Sequence, residues 1–332
     1  MLVFGLKFFL GIILWAVSLV SLLANIIVAR PVFSFVLDKD KSSIYVLAAF
    51  SILHDICQML LSVFYLAPCM ITNSFILSEF RGGAAPLFFG TIYLTWWNIG
   101  NWTQILIAVN RALVICYRRG SFFTKRNLLL MLLTIAIFST IKVYSTQYLL
   151  PCCSFIIDQS VYSYSYYHRG DIPNYLEISE LPLNCATSVT TFTCYAMIFK
   201  HIRDAQKTAQ LEVKSDEQKK RRKREFSHAI QFSFISIPYT FGWILFRLFP
   251  MLIADRGVEW YYITAIANTL NCSANAFIYL VFNAEVKRNL GIWLTASNKV
   301  VHSTSMRSSS VDPNSNKIST TAKPAVNETN GE

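Results

Sequence analysis

The chain has 332 residues, of which 54% are hydrophobic and only 15% are charged. A composition this apolar excludes an ordinary soluble domain and indicates a membrane protein. The formal net charge of +11 suggests nucleic acid at first, but the basic residues gather between apolar stretches. We therefore expect the charge to set the membrane topology, and we expect no nucleic-acid partner.

Seven stretches that carry no charge, or one tolerable charge, are long enough to cross a bilayer, which needs about 20 residues. They predict an all-α membrane protein, a seven-transmembrane helix bundle with a short interfacial eighth helix. The predicted spans are residues 6–29, 44–71, 87–112, 127–150, 182–200, 228–253 and 260–282. The bundle domain is predicted to cover residues 1–294, with the interfacial helix at 283–294, and residues 295–332 to form a disordered cytoplasmic tail rich in Ser and Thr.

The distribution of basic residues predicts the orientation. If the amino end is extracellular, 24 of the 30 Lys and Arg residues fall in cytoplasmic segments. The positive-inside rule therefore predicts a multi-pass plasma-membrane protein with an extracellular amino end and a cytoplasmic carboxyl end.

The first two spans carry polar residues that must face other helices. Asn25 is expected to form an interhelical hydrogen bond. A short loop is expected from Pro31 to Ser43. Asp55 lies near the middle of the second span, where a carboxylate is costly unless it is paired, hydrated, ion-bound or protonated. Two interpretations stay open: a polar site that binds a cation such as sodium, or a protonated carboxyl in a purely structural hydrogen bond.

The third span is the predicted centre of the bundle, because it is uncharged from Leu87 to Val109 yet rich in polar and indole groups such as Trp96 and Trp97. It ends in Asn110 and Arg111 at the cytosolic boundary. Arg111 is either a topology anchor or a group that inserts between neighbouring helices at rest and meets a partner when they part.

Lys142 in the fourth span also has two interpretations. It either extends towards the lipid headgroups or serves as a counter-charge for an acidic ligand, or for Glu177 or Glu180 in the loop beyond. In the outer segment that follows, polar and aromatic residues alternate from Ser160 to Tyr167. This pattern predicts a hairpin strand lying as a lid over the mouth of the bundle.

Four cysteines lie in or near the oxidising exterior and are disulfide candidates: Cys69, Cys152, Cys153 and Cys185. A bridge from Cys152 or Cys153 to Cys185 would connect the lid to the fifth helix, but the sequence does not decide the pairing.

Between the fifth and sixth spans, a helical extension is expected to end in a basic run that begins with Lys219, Lys220, Arg221 and Arg222. Such a run suits an acidic or amphipathic cytosolic partner and anionic lipid of the inner leaflet. In the sixth span, Pro238 predicts a kink. Three residues at four-residue steps then share one helix face and are expected either to pack or to line a pocket: Tyr239, Trp243 and Arg247.

In the seventh span, polar residues recur at three- or four-residue steps and predict a stripe that faces the bundle interior: Asn268, Asn271, Asn275 and Tyr279.

Taken together, these motifs resemble a rhodopsin-like G-protein-coupled receptor, and more narrowly the nematode serpentine chemoreceptors of class X. Residues that carry the resemblance are Asn25, Asp55, the Asn110-Arg111 pair, Pro238 and the stretch from Asn275 to Tyr279, which matches an Asn-Pro-x-x-Tyr signature. The chain departs from the pattern at Ala276, which replaces the seventh-helix Pro, and in lacking a Cys at the start of the third helix.

The resemblance implies a chemosensory receptor that binds an extracellular small molecule and activates a heterotrimeric G protein. Expected ligand contacts are Trp96, Trp97, Tyr239, Trp243, Arg247 and Lys142. Expected G-protein contacts are Arg111 and the basic run. The resemblance also implies the cilia of chemosensory neurons as a location. A peptide-activated receptor is the alternative; a seven-span ligand-gated cation channel would reverse the topology and conflicts with the inward basic residues.

No motif for a metal-dependent hydrolase, a nucleophilic serine or a phosphate-binding loop is present in the sequence. We therefore expect neither enzymatic activity nor a cofactor.

Overall fold

A computed structural model describes residues 5–38, 42–168, 174–209, 234, 237–246, 248–249, 251–252 and 257–291. The chain divides into two units, Met1–Lys287 and Arg288–Glu332. In the second unit the described residues, 288–291, are helical. The candidate bundle lies wholly within the first unit.

The first unit is mainly helical. In chain order, its helices are α1 (Leu6–Leu37), α2 (Ile44–Leu61), α3 (Ala67–Thr72), α4 (Ala84–Cys116), α5 (Lys125–Tyr144), α6 (Tyr175–Ala209), α7 (Ile237–Phe246) and α8 (Tyr262–Phe282). Residues 284–287 are also helical. Between α5 and α6, the strands β1 (Ser154–Asp158) and β2 (Ser163–Tyr167) form an antiparallel hairpin.

Five of the described helical stretches are long and apolar enough to cross a membrane: Leu6–Leu37, Ile44–Thr72, Ala84–Cys116, Lys125–Leu149 and Val258–Phe282. They overlap the first four predicted spans and the seventh, and the first is longer than predicted. The fifth predicted span lies inside α6, which is 35 residues long but more polar, and α7 is a shorter apolar helix inside the sixth. The limits of these two spans remain predictions.

The lipid-facing side of the bundle is best seen on α5. Its large apolar side chains are about half exposed, as at Leu130, Leu133 and Ile137, whereas the hydroxyl-bearing Ser139 is completely buried. This distribution is opposite to that of a soluble helix, because hydrocarbon solvates apolar groups and leaves polar groups to find partners inside.

Two prolines show how the helices continue past a missing backbone donor. We expected a loop to begin at Pro31, and this prediction is wrong, because α1 continues through Pro31 to Leu37. Val32 and Phe35 are buried there, so apolar burial offsets the loss of one helical hydrogen bond. In the second span, a π-helical turn (Ser62–Leu66) joins α2 to α3 just before Pro68, a local adjustment that accommodates proline.

The hairpin was expected, but its strands differ from the expected one. β2 begins at Ser163 rather than Ser160, because Gln159–Val161 forms a short 3-10 turn and Tyr162 has a left-handed φ of 60°. Its partner β1 is buried along its whole length. A strand buried on both faces shows no alternation of polar and apolar residues, which is why its sequence did not reveal it.

The hairpin is held against the helices by polar and steric contacts. The Gln147 side chain donates to the Phe155 carbonyl at 2.7 Å and accepts from the Phe155 amide at 2.9 Å. Arg81 forms a 2.6 Å ion pair with the buried Asp158. On α4, Gly90 lies directly against the β1 backbone, where a Cβ atom would come within 2.4 Å of the Phe155 oxygen.

The close approach at Gly90 generates a test. Gly90→Ala should push β1 away from α4 and lower the free energy of unfolding by about 1–3 kcal/mol, the usual cost of overpacking. Thermal unfolding of the purified protein in detergent measures this change. Gly120→Ala is the matched control, because a Cβ there meets nothing within 4 Å. Equal unfolding temperatures for the two variants would contradict the proposed contact.

Candidate functional site

A cavity opens between α4, α6, α7, α8 and the hairpin, with an empty volume of about 740 Å³ out to its mouth. Seven aromatic residues line the cavity: Tyr93, Trp97, Phe155, Tyr164, Tyr166, Trp243 and Phe246. Acidic and polar residues complete the wall: Glu177, Glu180, Asn184, Thr264, Asn268 and Asn271. Aromatic side chains together with convergent polar groups are typical of a site for a small organic molecule.

The hairpin contributes its rings to a stack on α4. Tyr93 lies parallel to Phe155, with ring centroids 5.4 Å apart, and its centroid is 4.2 Å from that of Tyr164. Burial raises the pKa of Tyr164 to about 12, so its hydroxyl is neutral at physiological pH and can donate a hydrogen bond. The Asn268 amide donates to this hydroxyl at 3.4 Å, which connects the hairpin to α8.

A buried ion pair joins Glu180, which lines the cavity, to Lys142 on α5. The Lys142 ammonium donates at 2.7 Å to both Glu180 Oε1 and Asn98 Oδ1, and the Asn98 amide donates to the same Glu180 oxygen at 3.1 Å. The Lys142 side chain is 18% exposed and that of Glu180 7%. Of the two interpretations of Lys142, the structure favours the counter-charge, and the partner is Glu180.

Glu180 was expected in a loop, and this prediction is wrong because α6 begins at Tyr175. Asn174 caps α6: the Glu177 backbone N–H donates to Asn174 Oδ1 at 3.1 Å, and the Asn174 side-chain Nδ2 donates to Glu177 Oε2 at 3.2 Å. The spacing from Asn174 to Glu177 is that of a capping box, a signal in the sequence that could have located the start of α6. One turn apart on the same helix face, Glu180, Asn184 and Ser188 then point into the bundle.

Of the aromatic residues expected to contact the ligand from α4 and α7, Trp97 and Trp243 line the cavity, whereas Tyr239 and Trp96 are not among its lining residues. Trp97 lines the cavity, and its centroid is 5.5 Å from that of Tyr239. The Tyr239 hydroxyl bonds to Asn101 and, at 3.1 Å, to Asn184. Trp243 lines the cavity and donates to Ser188 at 2.7 Å.

Trp96 is not among the residues that line the cavity, since its ring lies 6.4 Å from that of Phe50 on α2. Adjacent residues on a helix are separated by about 100° of rotation, so Trp96 and Trp97 cannot face the same neighbour. Arg247 lies outside the described residues.

A second, smaller cavity lies around Asp55. Side chains that line it and carry oxygen are Ser51, Asp55, Thr103, Gln104, Tyr239, Asn271 and Asn275. The Asp55 side chain is almost fully buried, with 1% of the residue exposed. Its Oδ1 lies 3.0 Å from His54 Nδ1, and its Oδ2 accepts a hydrogen bond from the Asn275 side-chain amide. Asn275 Oδ1 is buried and has no partner among the described residues. Oxygen ligands around a carboxylate suit a hard cation such as sodium, so the residues fit the expected ion.

The polar residues predicted for the inner part of the bundle are buried. The Asn25 amide donates to the Ser21 and Cys272 carbonyls at 3.0 Å, which joins α1 to α8 as expected. Asn110, Arg111 and Tyr279 are 3%, 6% and 2% exposed. Pro238 lies in α7, whereas Lys219, Lys220, Arg221 and Arg222 lie outside the described residues.

The cysteines pair differently from the bridge considered in the sequence. Cys152 is bonded to its neighbour Cys153, and Cys69 and Cys185 are free. Cys185 follows Asn184, which points into the bundle, and one residue further along a helix lies about 100° away. Cys185 is exposed on α6 and forms no disulfide in this structure.

The ion pair generates a test of the buried charges. Lys142→Met should lower the free energy of unfolding by about 3–5 kcal/mol, because it leaves the Glu180 carboxylate buried without its counter-charge. The double variant Lys142→Met with Glu180→Gln should recover part of that loss, since no charge remains. Thermal unfolding in detergent compares the three proteins, and a double variant less stable than the single one would argue against the pair.

Comparison with known proteins gives a fold and a family. The structure is similar to the crystal structure of squid rhodopsin, with a TM-score of 0.69, 16% sequence identity, and coverage of 85% of this chain and 83% of that chain. At this identity the likeness shows the fold alone. No curated protein matches the sequence significantly. The family model for the serpentine type 7TM GPCR chemoreceptor Srx matches residues 15–283. The chain therefore belongs to the Srx family of serpentine, seven-transmembrane G-protein-coupled chemoreceptors.

Proposed function

We propose that this receptor binds an extracellular small molecule in the aromatic cavity and, when bound, activates a heterotrimeric G protein. The observation that carries the proposal is the cavity itself, which α4, α6, α7, α8 and the hairpin surround with seven aromatic residues. The positive-inside rule supports an extracellular amino end and a cytoplasmic carboxyl end. On this topology the hairpin covers the extracellular mouth. We also propose the cilia of chemosensory neurons as the location, as the resemblance described above implies.

The proposed mechanism is a shift between two bundle arrangements. Trp97 lines the aromatic cavity and also the small cavity around Asp55. Its ring contacts that of Tyr239, whose hydroxyl bonds to Asn101 and Asn184. A ligand that contacts Trp97 and Trp243 changes the equilibrium only by its differential affinity for the two arrangements. In the active arrangement, the sixth predicted span, which contains α7, moves outward about Pro238.

Arg111 is the proposed link to the G protein. It is buried in this structure, which supports a resting arrangement in which the guanidinium lies between helices. Outward movement of the sixth span would expose Arg111 to the G protein, next to the basic run from Lys219 to Arg222. The family is one of receptors rather than enzymes, and we propose no catalytic step.

Substitution of Arg111 tests this link. In cells that express the receptor, Arg111→Ala should abolish G-protein nucleotide exchange in response to any compound of an odorant panel that activates the wild type, while surface expression and ligand binding persist. Arg119→Ala is the control, because Arg119 is exposed in the loop after α4. Unchanged exchange in the Arg111 variant would refute the role, and a fast cation current without G protein would favour a channel.

Sodium is the second proposed ligand, held by Asp55 with oxygens of Ser51, Thr103 and Asn275. Replacing sodium by N-methylglucamine at constant ionic strength should change the affinity of an activating compound several-fold in the wild type, within the usual range of allosteric coupling. Asp55→Asn should remove this dependence, because it removes the charge that holds the ion. Radioligand competition at graded sodium concentrations measures it, and no difference between the proteins would eliminate the ion site.

A further inference from the structure

We propose that the aromatic cavity selects uncharged amides with an apolar body, and that Asn271 on α8 is the residue that recognises the amide group. This inference rests on the proposed function, since it names the ligand class for the same cavity.

Asn271 lies where two cavities meet. It lines both the aromatic cavity and the smaller cavity around Asp55, as does Trp97 on α4. On α8, Asn268 precedes it by three residues and lines the aromatic cavity, whereas Asn275 follows it by four and lines the smaller one. Residues three and four apart share one face of a helix. The Asn271 side chain therefore lies at the boundary between the two cavities.

The side-chain amide of Asn271 is available to a ligand. It has no hydrogen-bond partner among the described residues, and neither its oxygen nor its nitrogen belongs to the fully buried atoms that lack one. An amide that is neither bonded nor fully buried is open to the cavities that its residue lines. Inside a membrane bundle, such a group is costly unless water or a ligand pairs with it.

Other polar side chains of the wall differ from Asn271, because they already bond within the protein. Three of them bond to neighbouring side chains: Asn184 to Asn101, Asn268 to Tyr164, and Thr264 to Ser163. The Glu180 carboxylate accepts from Lys142, so its charge is matched by a residue of the bundle. A ligand would have to replace these bonds to use the same groups, whereas it can bond to Asn271 without breaking any of them.

The chemistry of a side-chain amide defines the ligand class. An Asn side chain offers donors on its nitrogen and an acceptor on its oxygen, side by side. A second amide matches both, because its N–H donates to the Asn oxygen and its carbonyl accepts from the Asn nitrogen, whereas a ketone matches only the donor. Asn carries no charge, so an ion would lose its hydration without gaining a counter-charge from this residue.

The rest of the wall suits an apolar body. Gly242 lines the cavity on α7, one turn before Phe246, and a Cβ atom at Gly242 would meet nothing within 4 Å. The cavity therefore has free space at this helix, next to aromatic rings that bury large apolar areas. A ligand whose amide pairs with Asn271 beside Trp97 could place a ring or an aliphatic chain in this space.

The test compares isosteres on the purified, full-length receptor in lipid nanodiscs at a fixed sodium concentration. The probes are 3-phenylpropanamide, the methyl ketone 4-phenylbutan-2-one, 3-phenylpropan-1-amine and 3-phenylpropanoate, together with their larger naphthyl homologues. Binding is measured without G protein, by tryptophan fluorescence and thermal stabilisation. We expect the amides to bind about fivefold more tightly than the ketones, the equivalent of one neutral hydrogen bond, and the two ions to bind more weakly than the amides.

Asn271→Leu tests the recognising residue. Leu is similar in shape to Asn but has no hydrogen-bonding group, so the preference for the amide over the ketone should disappear. Asn127→Leu makes the same chemical change near the start of α5, at a residue that lines neither cavity, and should leave the preference intact. An Asn271 variant that keeps the wild-type preference would overturn the proposal.

Gly242→Leu tests whether the probes bind in this cavity. The new side chain would occupy part of the free space on α7, so every probe that binds the wild type should bind the variant several-fold more weakly. Amide binding that this variant leaves unchanged would place the ligand elsewhere and would count against both the ligand class and the proposed site.

The wild-type comparison stands even if a variant does not fold. Equal affinity for amide and ketone, tighter binding of either ion, or no binding of any amide in the series would overturn the ligand class. G-protein nucleotide exchange is recorded separately. Amide binding without exchange would count against the proposed signalling and leave the ligand class standing, whereas exchange driven by a different class would do the opposite.

Discussion

A bilayer offers no water to a buried polar group, and this constraint shapes the interior of the bundle. The ion pair of Lys142 and Glu180, whose charged atoms are 2.7 Å apart, shows this constraint most clearly, because both charged groups lie inside the bundle. Neither charge is stable in this position alone, because desolvation of an unpaired ion exceeds what packing returns. Asn98 bonds to both partners, so one cluster holds α4, α5 and α6 in a single register.

Other polar contacts continue this arrangement towards the inner end of the bundle. Tyr239 bonds to Asn101 and Asn184, and Asp55 accepts from Asn275. Each contact joins two helices that are far apart in sequence. A contiguous network of this kind is a physical route for coupling between the two ends, although coupling itself is a free-energy difference between arrangements rather than a property of the contacts.

Sequence reasoning succeeded where a residue type has few acceptable environments. Asn25 in an apolar helix had to find a partner on another helix, and it bonds to α8. Alternating polar and aromatic residues predicted a hairpin, and β2 forms one with β1. Two predictions were wrong where the outcome depended on neighbouring residues: α1 passes through Pro31, and α6 begins before Glu180. The sequence left the cysteine pairing open, and in the structure Cys152 pairs with Cys153.

By itself, the sequence determined that the chain is a membrane helix bundle and which residues had to face inward, because hydrocarbon penalises charges and polar groups whatever the fold. The tertiary structure alone decided which inward residues meet. Glu180 accepts from Lys142 and Asn98 on one oxygen, while its other oxygen is buried without a partner among the described residues, and this asymmetry depends on the relative positions of three helices. Helical periodicity gives the direction of a side chain around its own axis, but the axes of packed helices are set by the side chains of all of them together.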